Sequence, residues 1–384
     1  MGGSSRDRLC PSAVAIGAPA EMSDPPGDLT PTEAPVAPPE RSLRSKVIRG
    51  VVTVGIVAAV FGGLFPRLAD YSEVLPIVTA LTVGEVTILL ILAVWFLAAY
   101  WPVLMAVLPT LRMREAAVNQ LSGTAISNTV PAGGAIAVGV NYAIYLSWGF
   151  RSERVWAGLL AAGVWDGFVK AGVPVVAFGL LAVSSDDTVV GWAVPLTSAL
   201  VLAAMSVTVI AVMRSATGAA FVGRTLARVV NPPLKLLGRQ PVDFEGSLEV
   251  FRATLSELVQ RSWKRLTLAM AGNHLAMFAV FVASMRFAGV TDIRLTALLA
   301  TFSLARLLSG VPLTPGGIGI VDAGYVGLLL LSSGGQGEPA IVAGVLLFRA
   351  LTYFPPIPLG LGTWVFWRSN QSWRKPLGSR PATG

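Results

Sequence analysis

The sequence predicts an all-α polytopic membrane protein with about six full spans and two broken helical hairpins in an inverted repeat. Three observations carry this prediction. Of 384 residues, 54% are hydrophobic and 13% charged, where a soluble domain carries about a quarter. Apolar stretches recur between short charged loops, and about 20 such residues in a helix cross a hydrocarbon core. Two of the stretches are interrupted by related segments of Pro and Gly-Gly.

Residues 1–40 contain Pro11, Pro19, Pro25, Pro26, Pro31, Pro35, Pro38 and Pro39 with few large apolar side chains, the composition of a disordered tail. It lacks the apolar core of a signal peptide, and Met22 is an alternative start. Full spans are expected over 47–65, 86–108, 155–183, 190–213, 263–288 and 339–367. Residues 214–262 form a basic, amphipathic segment suited to an anionic lipid surface, and 371–384 form a second tail.

The stretch 116–149 is interrupted at Asn128-Thr129-Val130-Pro131-Ala132-Gly133-Gly134, and 293–332 is interrupted at 310–319, which holds Pro312, Pro315, Gly316, Gly317 and Gly319. Proline removes a backbone donor and clashes with the preceding turn, while paired glycines reach conformations closed to other residues. Backbone freed in this way cannot face lipid, so both breaks are expected to point inward or line a wet cavity. The plainer alternative is a kink in an ordinary span.

The two breaks are related. SNTVPAGGAIAVGVNYAIYL from Ser127 parallels SGVPLTPGGIGIVDAGYVGL from Ser309. Each leads, through a short polar loop, into a helix with Ala157-Gly158-Leu159-Leu160 or Ala343-Gly344-Val345-Leu346, then Pro174 or Pro358. The repeat units run over about 116–183 and 293–367.

Basic residues set orientation because positive loops stay in the cytoplasm. Arg41, Arg44, Lys46 and Arg49 precede the first span, Arg112 and Arg114 follow the second, and the segment after 213 carries Arg214, Arg224, Arg228 and Lys235. This count puts both termini inside, in a bacterial-type cytoplasmic membrane. It starts the first unit from the cytoplasm and the second from outside, an inverted arrangement typical of secondary transporters with broken midplane helices. The formal charge of +8 thus reads as topology rather than as affinity for nucleic acid.

Ionisable residues inside apolar stretches are costly and face the interior. They are Asp166, Lys170, Arg306, Asp322 and Arg349, with His274 beside Asn273. Asp166 and Lys170 stand four apart on one helix face and can pair, either as a structural pair or as a cavity wall. Arg349 falls within one residue of Asp166 in the repeat alignment, so these two could meet across the pseudo-two-fold axis. The five charges leave one excess positive, and arginine suits phosphate. Arg306 is the first candidate phosphate contact and Arg349 the second, each with simple pairing to Asp322 or Asp166 as the alternative.

Gly133, Gly134, Gly316 and Gly317 are expected to admit close backbone approach, and Asn119, Gln120 and Asn128 offer neutral donors near the first break. His274 is a possible proton-coupling group or a structural donor. The single cysteine, Cys10, and the single histidine exclude an internal disulfide and make a metal cluster improbable on composition. No cofactor and no catalytic motif such as GxSxG, HExxH or GxxxxGK[ST] is found, so the chain is not expected to be an enzyme.

At SNTVPAGG (127–134), VPLTPGGIGIVDAG (311–324) and LLFRALTYFPPIPLG (346–360) the chain resembles the flippase-like transmembrane domain of lysylphosphatidylglycerol synthases over most of 45–370. Asp322 stands where that family commonly has Glu, and the first break has Ala132-Gly133-Gly134-Ala135 where many relatives carry an Arg and an acidic residue. The resemblance implies translocation of a phospholipid or lipid-linked glycan precursor between leaflets, and the excess positive charge adds the expectation of an anionic phosphate headgroup. It does not imply lipid aminoacylation. The alternative is a non-transporting membrane partner of an envelope-lipid or glycan enzyme.

Overall fold

The first described helix pair shows how local chemistry sets the elements. The computed structural model describes residues 71–129, 133–184, 193–215, 217, 224, 244–309, 317 and 319–374, all within one compact unit, Arg44–Gly384. After a short α1 (Tyr71–Thr79), α2 (Val83–Ala99) is started by Thr82, whose hydroxyl accepts from the Glu85 amide at 3.3 Å while Glu85 accepts from the Thr82 amide at 2.8 Å. This reciprocal cap satisfies donors that a helix end otherwise leaves orphaned. The chain breaks at Tyr100 and resumes as α3 (Trp101–Val107), with Pro102 where a missing N–H costs nothing.

Next come α4 (Met113–Thr129) and α5 (Gly133–Ser147), separated at the first break, then α6 (Ser152–Ser184) and α7 (Ala193–Arg214). A single 44-residue helix, α8 (Phe244–Phe287), follows. At 1.5 Å per residue it extends about 66 Å, roughly twice the hydrocarbon thickness. The helix therefore runs unbroken from the basic segment into the expected span, with no boundary near residue 262.

The second break separates α9 (Leu295–Leu308) from α10 (Ile320–Ser332). α11 (Glu338–Thr352) and α12 (Pro356–Ser369) end in a 3-10 turn, Gln371–Arg374. The span expected over 339–367 is thus two helices rather than one. Pro355 and Pro356 cannot donate to the preceding turn, so the ladder stops at Tyr353 and restarts. By contrast, α6 continues through Pro174.

Among the described residues, four apolar runs are long enough to cross a membrane: Val83–Val107, Arg154–Leu181, Arg261–Phe287 and Glu338–Ser369. Shorter apolar helices cover Ile136–Ser147, Ala199–Thr208, Leu295–Leu308 and Val321–Ser332. The described residues hold no strand, and the chain is an all-helical membrane protein. The span expected at 47–65 lies outside the described residues.

Helix α8 runs through two buried clusters. Its Leu266 and Met270 join Val103 and Val107 of α3, Tyr145 of α5 and Val155 of α6. Its Val280, Phe281 and Met285 join Phe302 of α9, Tyr325 of α10 and Phe348 of α11. Between these clusters lie Asn273 and His274. The other packings are reciprocal, with α12 along α4 and α9 along α6. Gly360 makes the first possible, since a Cβ there would overlap the Leu121 carbonyl and the Ala125 side chain of α4.

Candidate functional site

A set of polar side chains inside the bundle lies near the two breaks and at the middle of α6 and α8. On α6, Lys170 Nζ lies 2.6 Å from Asp166 Oδ2, as the four-residue spacing predicts. Asp166 Oδ1 lies 3.0 Å from Nε2 of His274 on α8. One carboxylate thus holds both neighbours, and α6 and α8 are tied together at mid-bundle. Trp165, next to Asp166, adds a second tie through Nε1 to the Thr267 hydroxyl at 3.0 Å.

The second carboxylate, Asp322, is 1% exposed. Gly319, with φ of +90°, turns the chain into α10 in a conformation closed to most L-residues, and its amide donates to Asp322 Oδ2 at 3.0 Å. A carboxylate in the first turn of a helix also compensates its positive end. Asp322 Oδ1 accepts from Arg349 Nε of α11. Arg349 therefore pairs with Asp322 and not with Asp166. The reason is rotational, because the break at Tyr353 ends α11 one turn beyond Arg349 and α11 packs against α10.

Arg306, in the last turn of α9, is different. Its Nε is buried with no hydrogen-bond partner, and no described carboxylate forms an ion pair with it. Its helix, α9, packs against α6, α8 and α10, which carry Asp166, His274 and Tyr325. Of the five intramembrane charges counted from the sequence, four form two pairs, and the excess positive charge falls on Arg306.

The first break joins this region through Asn128. Its Nδ2 donates to the Tyr353 carbonyl at 3.1 Å, and the Tyr353 hydroxyl donates back to the Asn128 carbonyl. Gly133 admits α5 against the end of α4, since a Cβ there would come within 2.5 Å of the Ile126 carbonyl. Gly134 meets no atom within 4 Å and makes no such approach. Gly317 has a φ of +74° at the second break. Pro131, Pro315 and Gly316 lie outside the described residues. Asn119 donates to the Asn141 carbonyl at 3.0 Å, and Gln120 accepts from Trp101 at 3.3 Å, so both serve as interhelical links.

Tyr353 and Tyr325 belong to the region and were not among the expected residues. Tyr353 had a signal in the sequence, the Tyr353-Phe354-Pro355-Pro356 run that stops a helix. Tyr325, one turn beyond Asp322, packs its ring 5.0 Å from Phe281, and an apolar helix face gives no advance sign of that.

The opposite face of the α9–α10 hairpin is apolar. Leu304, Leu307 and Leu308 recur at helical spacing and, with Gly324, Gly327 and Leu331, line a groove of about 830 Å³. Arg306 projects from the other side of α9.

Comparison with protein families matches residues 48–360 to the lysylphosphatidylglycerol synthase TM region. No curated protein matches the chain.

Proposed function

We propose that this chain, which belongs to the lysylphosphatidylglycerol synthase transmembrane-region family, moves an anionic phospholipid or lipid-linked precursor between leaflets. The headgroup passes through the polar interior while the acyl chains stay in lipid. No bond is made or broken in the proposed activity, and the chain acts as a carrier rather than an enzyme. The energetic task is to spare the headgroup a passage through hydrocarbon, where an unpaired charge is expensive.

One observation carries this reading. Arg306 has a buried guanidinium nitrogen without a hydrogen bond and, unlike Arg349, no carboxylate paired with it among the described residues. An arginine left in that state suits a phosphate, which it binds through charge-assisted hydrogen bonds. The hairpin's division into a charged inner side and an apolar groove agrees with a lipid held by both ends.

The proposed architecture has about six spans, two broken hairpins in inverted repeat and both termini on the cytoplasmic side of an inner membrane. Reciprocal packing supports the repeat. The first hairpin's α4 lies along α12 of the second unit, and the second hairpin's α9 lies along α6 of the first, as a pseudo-two-fold axis requires. Asp166, Lys170, Asp322 and Arg349 then form the walls, and Asn128, Gly133, Gly134 and Gly317 the break-side backbone.

The test is reconstitution into liposomes carrying headgroup-labelled phosphatidylglycerol, with quenching from outside. Faster loss of the protected signal than in empty vesicles is expected, and Arg306→Gln should abolish the gain. Rates equal to empty vesicles for every anionic lipid tried would overturn transport and favour a scaffold for an envelope enzyme.

A further inference from the structure

We infer that an anion on Arg306 drives proton uptake at His274, so that a phosphodiester headgroup and a proton bind as one linked event. The inference rests on Arg306 being the headgroup contact.

Both oxygens of Asp166 are engaged, one by Lys170 at 2.6 Å and the other by the His274 ring at 3.0 Å. An ionised carboxylate only accepts hydrogen bonds, which assigns the ring proton to Nε2. A second proton therefore adds at Nδ1, and that N–H is the only bond formed. His274 is 5% exposed, and the Asp166 and Lys170 side chains are 27% and 20% exposed.

Asp166, with Lys170 paired to it, meets His274 from α6, and α9, which carries Arg306, packs against both α6 and α8. Tyr100, between α2 and α3, is half-buried. Helices α7 and α11 also pack on α8, and the arginine that α11 brings, Arg349, is paired with Asp322. With Arg306 bare, an imidazolium would be a third cation against one carboxylate, and like charges repel strongly in a low-dielectric interior. A phosphodiester on Arg306 cancels one cation and removes that repulsion. By reciprocity the same interaction makes the protonated protein bind the anion more tightly.

The probe is dihexanoylphosphatidylglycerol, a phosphodiester whose charge is constant near neutrality, titrated calorimetrically into the full chain in detergent. In the wild type, affinity should tighten at least about 5-fold from roughly pH 8 to roughly pH 5.5, within the usual range of coupled sites. Titration in two buffers of different ionisation enthalpy should show proton uptake, which needs no variant. His274→Gln keeps a donor toward Asp166 but cannot titrate, and its affinity should not change with pH. A flat wild-type profile, or an unchanged slope in His274→Gln, overturns the inference. A flat profile with binding lost in Arg306→Gln leaves the headgroup site standing, whereas unchanged binding in Arg306→Gln overturns both. Equal affinity for glycerophosphoglycerol, the same diester without chains, would overturn the lipid as ligand.

Discussion

Asn128 and Tyr353, 225 positions apart, hydrogen-bond to each other twice, each donating a side-chain proton to the other's backbone carbonyl. This clasp fastens the end of α4 at the first break to the gap between α11 and α12. It satisfies two carbonyls that helix ends leave without partners. It also places the first break one helical turn from Arg349, and so from the Asp322 pair that anchors the second.

Tyr353→Phe deletes one of the two bonds without changing the ring. A buried hydrogen bond contributes about 0.5–1.5 kcal/mol net, and a loss of that size is expected in thermal unfolding of the detergent-solubilised protein. An unchanged melting temperature would show that the clasp contributes nothing to stability.

Gly360→Ala is expected to destabilise by about 1–3 kcal/mol, the usual cost of overpacking, because its Cβ would sit 2.6 Å from the Ala125 Cβ and closer still to the Leu121 carbonyl. Gly362→Ala, two positions on, meets nothing within 4 Å and should be neutral or slightly stabilising through helix propensity. Equal melting temperatures for the two variants would refute the close contact between α12 and α4.

Asp322→Asn should be severely destabilising, because it leaves the Arg349 guanidinium buried against a neutral group. Breaking one side of a buried pair costs about 3–5 kcal/mol. The double variant Asp322→Asn with Arg349→Gln should recover at least about 1 kcal/mol of that loss. Additive losses would mean the two residues act independently.

Arg306→Gln should behave in the opposite way. With no ion pair to break, its stability should stay within about 0.5 kcal/mol of wild type. Removing a charge-assisted contact of about 1.5–3 kcal/mol should weaken anion binding roughly 10- to 100-fold. Loss of folding with binding retained would assign Arg306 to structure.

Orientation is checked by Ser152→Cys and Ser333→Cys on a Cys10→Ser background. In right-side-out vesicles, an impermeant thiol reagent should label the Ser333→Cys variant and spare the Ser152→Cys variant. Labelling of both from one side would end the inverted-repeat reading.

Much of the helical plan was legible in advance. The stretches 86–108, 155–183 and 263–288 lie within one or a few residues of the apolar runs Val83–Val107, Arg154–Leu181 and Arg261–Phe287. The helices on either side of the two interrupted segments end at Thr129 and Leu308 and resume at Gly133 and Ile320. Tyr353-Phe354-Pro355-Pro356 shows how a legible signal was outweighed, since the surrounding apolar run of 339–367 reads as one span on hydropathy alone. The continuity of α8 was hidden for the converse reason, because a change from polar to apolar composition does not interrupt a backbone ladder.

Membrane residence, helical class and the positions of the breaks follow from the sequence itself, because hydropathy, a missing proline N–H and glycine's freedom act within a few residues. The count of one excess intramembrane positive charge is equally a property of composition. Which residue bears that charge was decided only in three dimensions. Helix rotation and packing set Arg349 on Asp322, brought His274 to Asp166 across 108 positions, and left Arg306 alone among the five without an ion-pair partner in the described residues. Such partnerships depend on which faces of distant helices meet, and no local pattern encodes that.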